Sequence, residues 1–225
     1  MRRSIVKKIG LVFTGTLLLL TQTGTGQRGS AVGEWRHYGG DAGGTKYSPL
    51  DQINASNVSK LQIAWRWKTS TLGPPVDSNW EVTPLMIGST VYFTAGSMRA
   101  AVAVDAASGD TKWIYRLDEG TRGSRAPRIN NRGLAYWSDN AGNERIILIT
   151  PGYQMVALNA KSGKTIPEFG TGGIVDLWNG LGREVQPNQI GSSSPAIIVG
   201  DVVVMGAALL GGNSPPTMNN VPGYI

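Results

Sequence analysis

An all-β fold made of repeated four-stranded antiparallel sheets is what this sequence predicts, on three observations. Glycine is abundant, at 31 of 225 residues, which favours many tight turns. Short apolar runs alternate at period two between turn residues, and no sustained helical period follows the N-terminal segment. Third, "AVAVDAASGDTKW" (101–113) is written again as "MVALNAKSGKTIP" (155–167), with Ala103 and its match Ala157 54 residues apart.

The elements follow in order. Residues 1–26 read as an export signal: Arg2, Arg3, Lys7 and Lys8, then the apolar run "IGLVFTGTLLLL", then small and polar residues. That run is shorter than the roughly 20 residues a membrane-spanning helix needs. The expected location is therefore periplasmic or secreted. Residues 27–60 form a Gly- and Asn-rich extended lead-in. Residues 61–225 form the sheet-bearing domain. "LQIAWRWKT" reads as a strand with Ile63, Trp65 and Trp67 on one face. "TPLMIGSTVYFTAG" gives two strands about Gly88-Ser89, and "AAVAVDA" with "TKWIYRL" gives two more about Ser108-Gly109. "GLAYWSD", "RIILITP", "YQMVALNA" and "KTIPEFG" repeat the pattern, the last pair turning at Ser162-Gly163. "SSPAIIVGDVVVMGAAL" opens a third unit with its turn at Gly200-Asp201, and "GYI" begins that unit's third strand.

Four short strands per unit at a period near fifty is the pattern of β-propeller blades. A four-stranded sheet with two apolar faces cannot bury both by itself. Neighbouring blades packed around an axis bury them. The Asp/Asn-x-x-Ser-Gly turn closes the last hairpin of a blade, and the following Trp fills the gap to its neighbour. A β-sandwich is the alternative arrangement.

Charge and cysteine usage exclude several functions. The formal net charge is +6, but 21 Lys/Arg less the four in the leader leaves 17 against 15 Asp/Glu. The basic isoelectric point therefore gives no support to nucleic-acid binding. There is no Cys, which rules out disulfides, a Cys nucleophile, thiolate metal ligands and a covalent haem motif.

The motif Ala103-x-Asp105-x-x-Ser108-Gly109-Asp110-x-x-Trp113 resembles the tryptophan-docking repeat of the eight-bladed quinoprotein dehydrogenases, which use pyrroloquinoline quinone (PQQ). In the second copy Asn159 stands for the Asp and Pro167 for the Trp. The lead-in from Trp35 to Trp65, "WRHYGGDAGGTKYSPLDQINASNVSKLQIAW", is similar to the start of PQQ-dependent alcohol and sugar dehydrogenases. "ALNAKSGKTIPEFGTGGIVDL" resembles the glucose dehydrogenase branch.

The resemblance implies site residues. In "NWEVTPLMIGSTVYF", Glu81 stands where the family sets an acidic residue against the cofactor. In "NNRGLAYW", Arg132 stands where an Arg pairs with PQQ, and Trp137 stands near the expected substrate pocket. In "GSSSP", Ser192 and then Ser194 are candidates for a hydroxyl touching the cofactor. The chemistry suits these choices. PQQ is a planar tricarboxylate o-quinone, and a guanidinium grips a carboxylate bidentately. Each choice also has a plain structural reading: a surface Glu before a strand, a surface Arg in a turn, serines in a turn, a packing aromatic. His37, the one His, reads as a turn residue.

Two departures restrict the match. The alcohol branch's adjacent Cys pair is missing, and "MGAALLGGN" offers no carboxylate where that branch has a Ca²⁺ ligand. Eight blades at this spacing need roughly 430 residues. The expectation is thus an N-terminal part of a longer enzyme, inactive alone, with the catalytic Asp and the Ca²⁺ ligands beyond residue 225. As the resemblance implies, the parent oxidises an alcohol or aldose hydroxyl. The Asp takes the hydroxyl proton, hydride passes to PQQ beside Ca²⁺, and electrons go to a separate quinone or cytochrome. The rival reading is a propeller scaffold of the outer-membrane assembly type, which shares the repeat but not the lead-in, Glu81 or Arg132.

Overall fold

The computed structural model describes residues 33–74, 80–127, 130–139 and 141–209. The leader and the "GYI" strand lie outside the described residues. Two four-stranded antiparallel sheets follow one another along the chain, each in simple sequential order. The first is β1 (Leu85–Ile87), β2 (Thr90–Ala95), β3 (Ala100–Asp105) and β4 (Thr111–Tyr115). A short helix, α1 (Gly120–Ser124), leads to the second: β5 (Ala135–Ser138), β6 (Glu144–Ile149), β7 (Gln154–Asn159) and β8 (Ile174–Asp176). The pair β9 (Ile190–Gly191) with β12 (Ala208–Leu209) and the hairpin β10 (Ile197–Val199) with β11 (Val202–Val204) begin a third unit.

Alternation explains why each sheet needs neighbours on both faces. In β3, Ala101 and Ala103 look into the core shared with the second sheet, joined there by Leu85, Tyr92, Ile146 and Leu158. Ala100, Val102 and Val104 look the other way, against Trp65, Trp67, Leu72 and Val82. In β7, Val156 and Leu158 face the first sheet, whereas Met155 and Ala157 face the third unit's Ile190, Ile198 and Val203. Three stacked cores of this kind are the blade packing of a β-propeller.

The repeated turn does what its sequence suggests. Asp105 Oδ1 accepts the N–H groups of Ala107 and Ser108 at 2.9 and 3.2 Å. Gly109 takes a φ of +76°, which glycine adopts without a Cβ clash. Trp113 reaches across to the second sheet, where its Nε1 donates to Ala160 O at 2.9 Å. Its ring covers Gly163 so closely that a Cβ there would lie 2.6 Å from the indole.

Trp65 docks on the first sheet in the same way. Its Nε1 donates to Ala106 O at 3.0 Å, and its ring leaves 2.6 Å for a Cβ on Gly109. Residues 61–69, expected as a strand, do not form one: 61–68 have no ladder partner among the described residues, and Thr69 starts a 3-10 turn. Trp65 and Trp67 do share the covered face, but Ile63 is exposed.

A second correction concerns β8. "KTIPEFG" was expected as the fourth strand of the second unit. Pairing does start there, with Ile166 N donating to Ala157 O at 3.0 Å. Pro167 has no N–H to continue the ladder. Gly170, Gly172 and Gly173 then turn at φ near +60° to +93°, and the chain re-enters as Ile174–Asp176.

A half-buried polar joint fixes α1 against the second blade. Arg122 binds Asp176 through both oxygens at 2.6 and 2.8 Å, donates to Gly152 O and Tyr153 O, and stacks 3.8 Å from the centre of the Trp178 ring. Glu119 accepts from Thr150 Oγ1 at 2.6 Å and Gly152 N at 2.8 Å. The Arg122 hydrogen bonds hold the Asp176 carboxyl below its ordinary value. Burial lowers Arg99, whose Nη1 donates to Thr150 O, to about 10.

Candidate functional site

A short segment leads into a strand of each unit. Glu81-Val82-Thr83-Pro84 precedes β1, Asn130-Asn131-Arg132-Gly133-Leu134 precedes β5, and Ser192-Ser193-Ser194-Pro195 precedes β10. The structure laces the three together. Thr83 N donates to Arg132 O at 3.1 Å, and Arg132 N donates to Ser193 O at 3.1 Å. The Arg132 peptide is thus the middle rung between two neighbouring blades. Gly133 permits this approach: its φ is +132°, and a Cβ there would stand 2.8 Å from Thr83 O.

The segments that carry four of the sequence-predicted residues are therefore bonded to one another. Glu81 sits two residues before the bonded Thr83, and Ser192 and Ser194 flank the bonded Ser193. Glu81, Arg132 and Ser194 have exposed side chains, as a ligand-gripping set requires. Ser192 is fully buried, and its hydroxyl donates to Ser194 O at 2.9 Å. That hydroxyl fixes the turn and keeps only lone pairs to offer.

Trp137 is not brought to these segments. It lies near the far end of β5, with the Arg145 guanidinium 4.7 Å from its ring centre. Its Nε1 donates to Asp201 Oδ1 at 3.2 Å, in the turn between β10 and β11. Five residues of chain separate it from Arg132. His37 is a turn residue, its carbonyl accepting from Gly40 N at 2.9 Å, and burial lowers its pKa.

Sequence reasoning missed the supports of these segments. Asn131 Oδ1 accepts from Gly133 N at 3.0 Å and from Thr94 Oγ1 at 2.7 Å. Thr94 O accepts from Trp80 Nε1 at 2.7 Å, next to Glu81. An Asn two residues before a Gly is a legible signal for such a turn. The Thr94 partner comes from β2, 37 residues away, and no local pattern announces it.

The donor set fits an anionic planar ligand: a guanidinium, hydroxyls and backbone turns, with an acidic group beside them. Among the described residues no group of three or more His, Cys, Asp or Glu could hold a metal ion. The family model described as glucose/ethanol/alcohol dehydrogenase, β-propeller domain, which carries the label PQQ, matches residues 35–225. The chain belongs to this quinoprotein family. It is 32% identical to quinoprotein glucose dehydrogenase of Escherichia coli (strain K12), over 78% of this chain and 23% of that protein. It is also 32% identical to the glycerol dehydrogenase large subunit of Gluconobacter thailandicus, over 81% of this chain and 25% of that protein. The quinohemoprotein alcohol dehydrogenase from Comamonas testosteroni shares the fold, with a TM-score of 0.62 at 23% identity over 78% of this chain and 23% of that one. This quinoprotein chain thus spans about a quarter of the length of the relatives it matches.

Proposed function

We propose that the protein to which this chain belongs is a PQQ-dependent dehydrogenase that oxidises the CH–OH group of an alcohol or an aldose. The observation that carries this is the Arg132 peptide, bonded on one side to the Glu81 segment and on the other to the Ser192–Ser194 segment. It joins the segments that carry a cation, an acid and hydroxyls, which supports a site for an anionic cofactor, and the family of the chain supports PQQ as that cofactor.

Arg132 would grip a carboxylate of the cofactor with its planar fork. Glu81 would orient a ring N–H and balance the guanidinium charge. Ser194 would donate from the turn, while Ser192 would hold that turn. Trp137, at the distant end of β5, fits blade packing better than contact with substrate. PQQ, when bound, supplies the two-electron acceptor for the substrate's hydride. The group that accepts the hydroxyl proton and the ligands of a metal, Ca²⁺ on the family's pattern, belong to other residues of the parent. Its electrons would pass to a quinone or a cytochrome, and the basic–apolar leader would direct it to the periplasm.

The test is PQQ titration of the full-length gene product in its cofactor-free form. Arg132→Ala should weaken binding by roughly 1.5–3 kcal/mol, the range for a charge-assisted hydrogen bond. Arg132→Lys should recover only part of that, because a point charge lacks the fork. Wild-type affinity in the Ala variant would sink the assignment.

A further inference from the structure

Asn131 is the buried amide beside Arg132, 8% exposed. Chemistry fixes which way it faces. Its Oδ1 accepts both the Gly133 N–H and the Thr94 hydroxyl. An amide turned end for end would set its NH₂ against the Gly133 N–H. The other end is therefore the NH₂, and this Nδ2 is a buried donor with no acceptor among the described residues. A buried donor left unmet is costly, and native folds keep few of them without a partner supplied from outside the chain.

The turn itself does not call for that donor. A Ser or Asp at 131 would still offer an oxygen to the Gly133 N–H, the only role the turn assigns to this side chain. The amide thus carries a hydrogen-bonding group beyond local need. Its position is also suggestive. It adjoins the doubly bonded Arg132 peptide, and through Thr94 it is linked to Trp80 and so to the Glu81 segment. The Asn131 side chain thus ties the segment that carries the cation to the segment that carries the acid.

We infer that Asn131 Nδ2 donates to an anionic oxygen of the carboxylate-bearing quinone, as a second, uncharged donor alongside Arg132. This rests on the cofactor reading given above. Oδ1, locked by Thr94 and Gly133, presets the amide so that no side-chain freedom is lost when the ligand arrives. A carboxylate oxygen is the acceptor type that gives such a donor its strongest hydrogen bond.

The experiment uses the full-length gene product without cofactor, titrated with PQQ and followed by quenching of tryptophan fluorescence, with a thermal melt of each variant. Asn131→Ser keeps an oxygen for the turn and removes the donor. Asn131→Asp keeps Oδ1 and puts negative charge where the donor was. Affinity should fall about tenfold or more in the Ser variant and further in the Asp variant. Thr94→Val removes one of the two bonds to Oδ1 but leaves the donor, so its loss of affinity should be clearly smaller than that of Asn131→Ser. A Ser variant that melts like wild type and binds PQQ like wild type overturns the inference. So does a Thr94→Val loss as large as that of Asn131→Ser, which would assign the effect to the turn. A crystal structure of the PQQ-loaded wild type needs no variant. Nδ2 within about 3.2 Å of a PQQ oxygen is expected, and an ordered water there instead refutes it. Arg132→Ala separates the two readings. If it binds PQQ normally, the cofactor site itself is wrong; if it fails while Asn131→Ser binds normally, only the role of Asn131 is.

Discussion

The first and second blades carry the same turn and different fourth strands. After β3, Asp105 Oδ1 accepts two backbone N–H groups, Gly109 N donates to Asp105 O, and Asp105 N donates to Asp110 O. After β7, Asn159 Oδ1 accepts from Lys161 and Ser162, Gly163 N donates to Asn159 O, and Asn159 N donates to Lys164 O. The bonds match one for one, so the carboxylate charge is not what makes the turn; a side-chain oxygen is. The strands that leave these turns then diverge. β4 carries Trp113 straight into the neighbouring blade, while the second chain stops pairing at Pro167 and returns only at Ile174. The turn is a local device, set by about five residues. What it delivers depends on whether the following residues can keep a ladder.

The largest break in this comparison should come at the tryptophan. Trp113→Ala should destabilise the protein by about 3 kcal/mol, since it removes a large ring packed on Tyr92 and Gly163 and the bond to Ala160 O. Pro167→Ala, at the aligned position, should cost under about 1 kcal/mol, as an exposed residue outside any strand. Equal, small losses in urea melts would mean that the indole is not the joint.

A smaller effect should come from the glycines beneath the rings. Gly163→Ala and Gly109→Ala each force a Cβ to 2.6 Å from an indole at positive φ. Each should cost about 2 kcal/mol, from the left-handed backbone and from displacing the ring. Similar losses at the two sites would sharpen the case that Trp65 and Trp113 make equivalent joints. A neutral Gly109→Ala would break it.

The smallest effect separates the turns by acid. The Ser108 and Ala107 N–H groups and the Lys112 ammonium hold the Asp105 carboxyl below its ordinary value. Its contribution is therefore complete above the unfolded value, about pH 4, and is lost as pH falls through the lower folded value. Asn159 does not titrate. Amide exchange at Ala107 and Ser108 should quicken relative to Lys161 and Ser162 as pH drops below about 4, after correction for intrinsic rates. Asp105→Asn should abolish the difference. Identical acid responses in both turns would contradict the bonding described.

Much of the blade was legible in the sequence because strands and turns are local. Period-two alternation marked β1 to β7, and Gly88, Gly109, Gly163 and Gly200 all turn at positive φ where the pattern placed them. β8 was missed because its position depends on where a proline ends pairing and three glycines restore it. The β9–β12 pair was missed because two residues carry no period. In the candidate site, Glu81, Arg132, Ser192 and Ser194 came from resemblance, not from alternation. The Thr94–Asn131 bond could not be read at all, since it depends on which blades are neighbours.

The two tryptophan joints also make a statement about symmetry. At each of the two joints a ring from one segment meets a turn of the next, so the contact is head-to-tail, with unlike surfaces meeting. Such a contact never saturates by pairing; repeated with a fixed rotation it closes into a ring or winds into a helix. Trp65 is the ring half of a joint whose turn half is Asp105–Gly109, and Trp113 is the ring half of the next. The second blade departs from the series: it receives Trp113 but carries Pro167 where its own ring would stand, so its contact with the third unit rests on Met155 and Ala157 packed against Ile190, Ile198 and Val203.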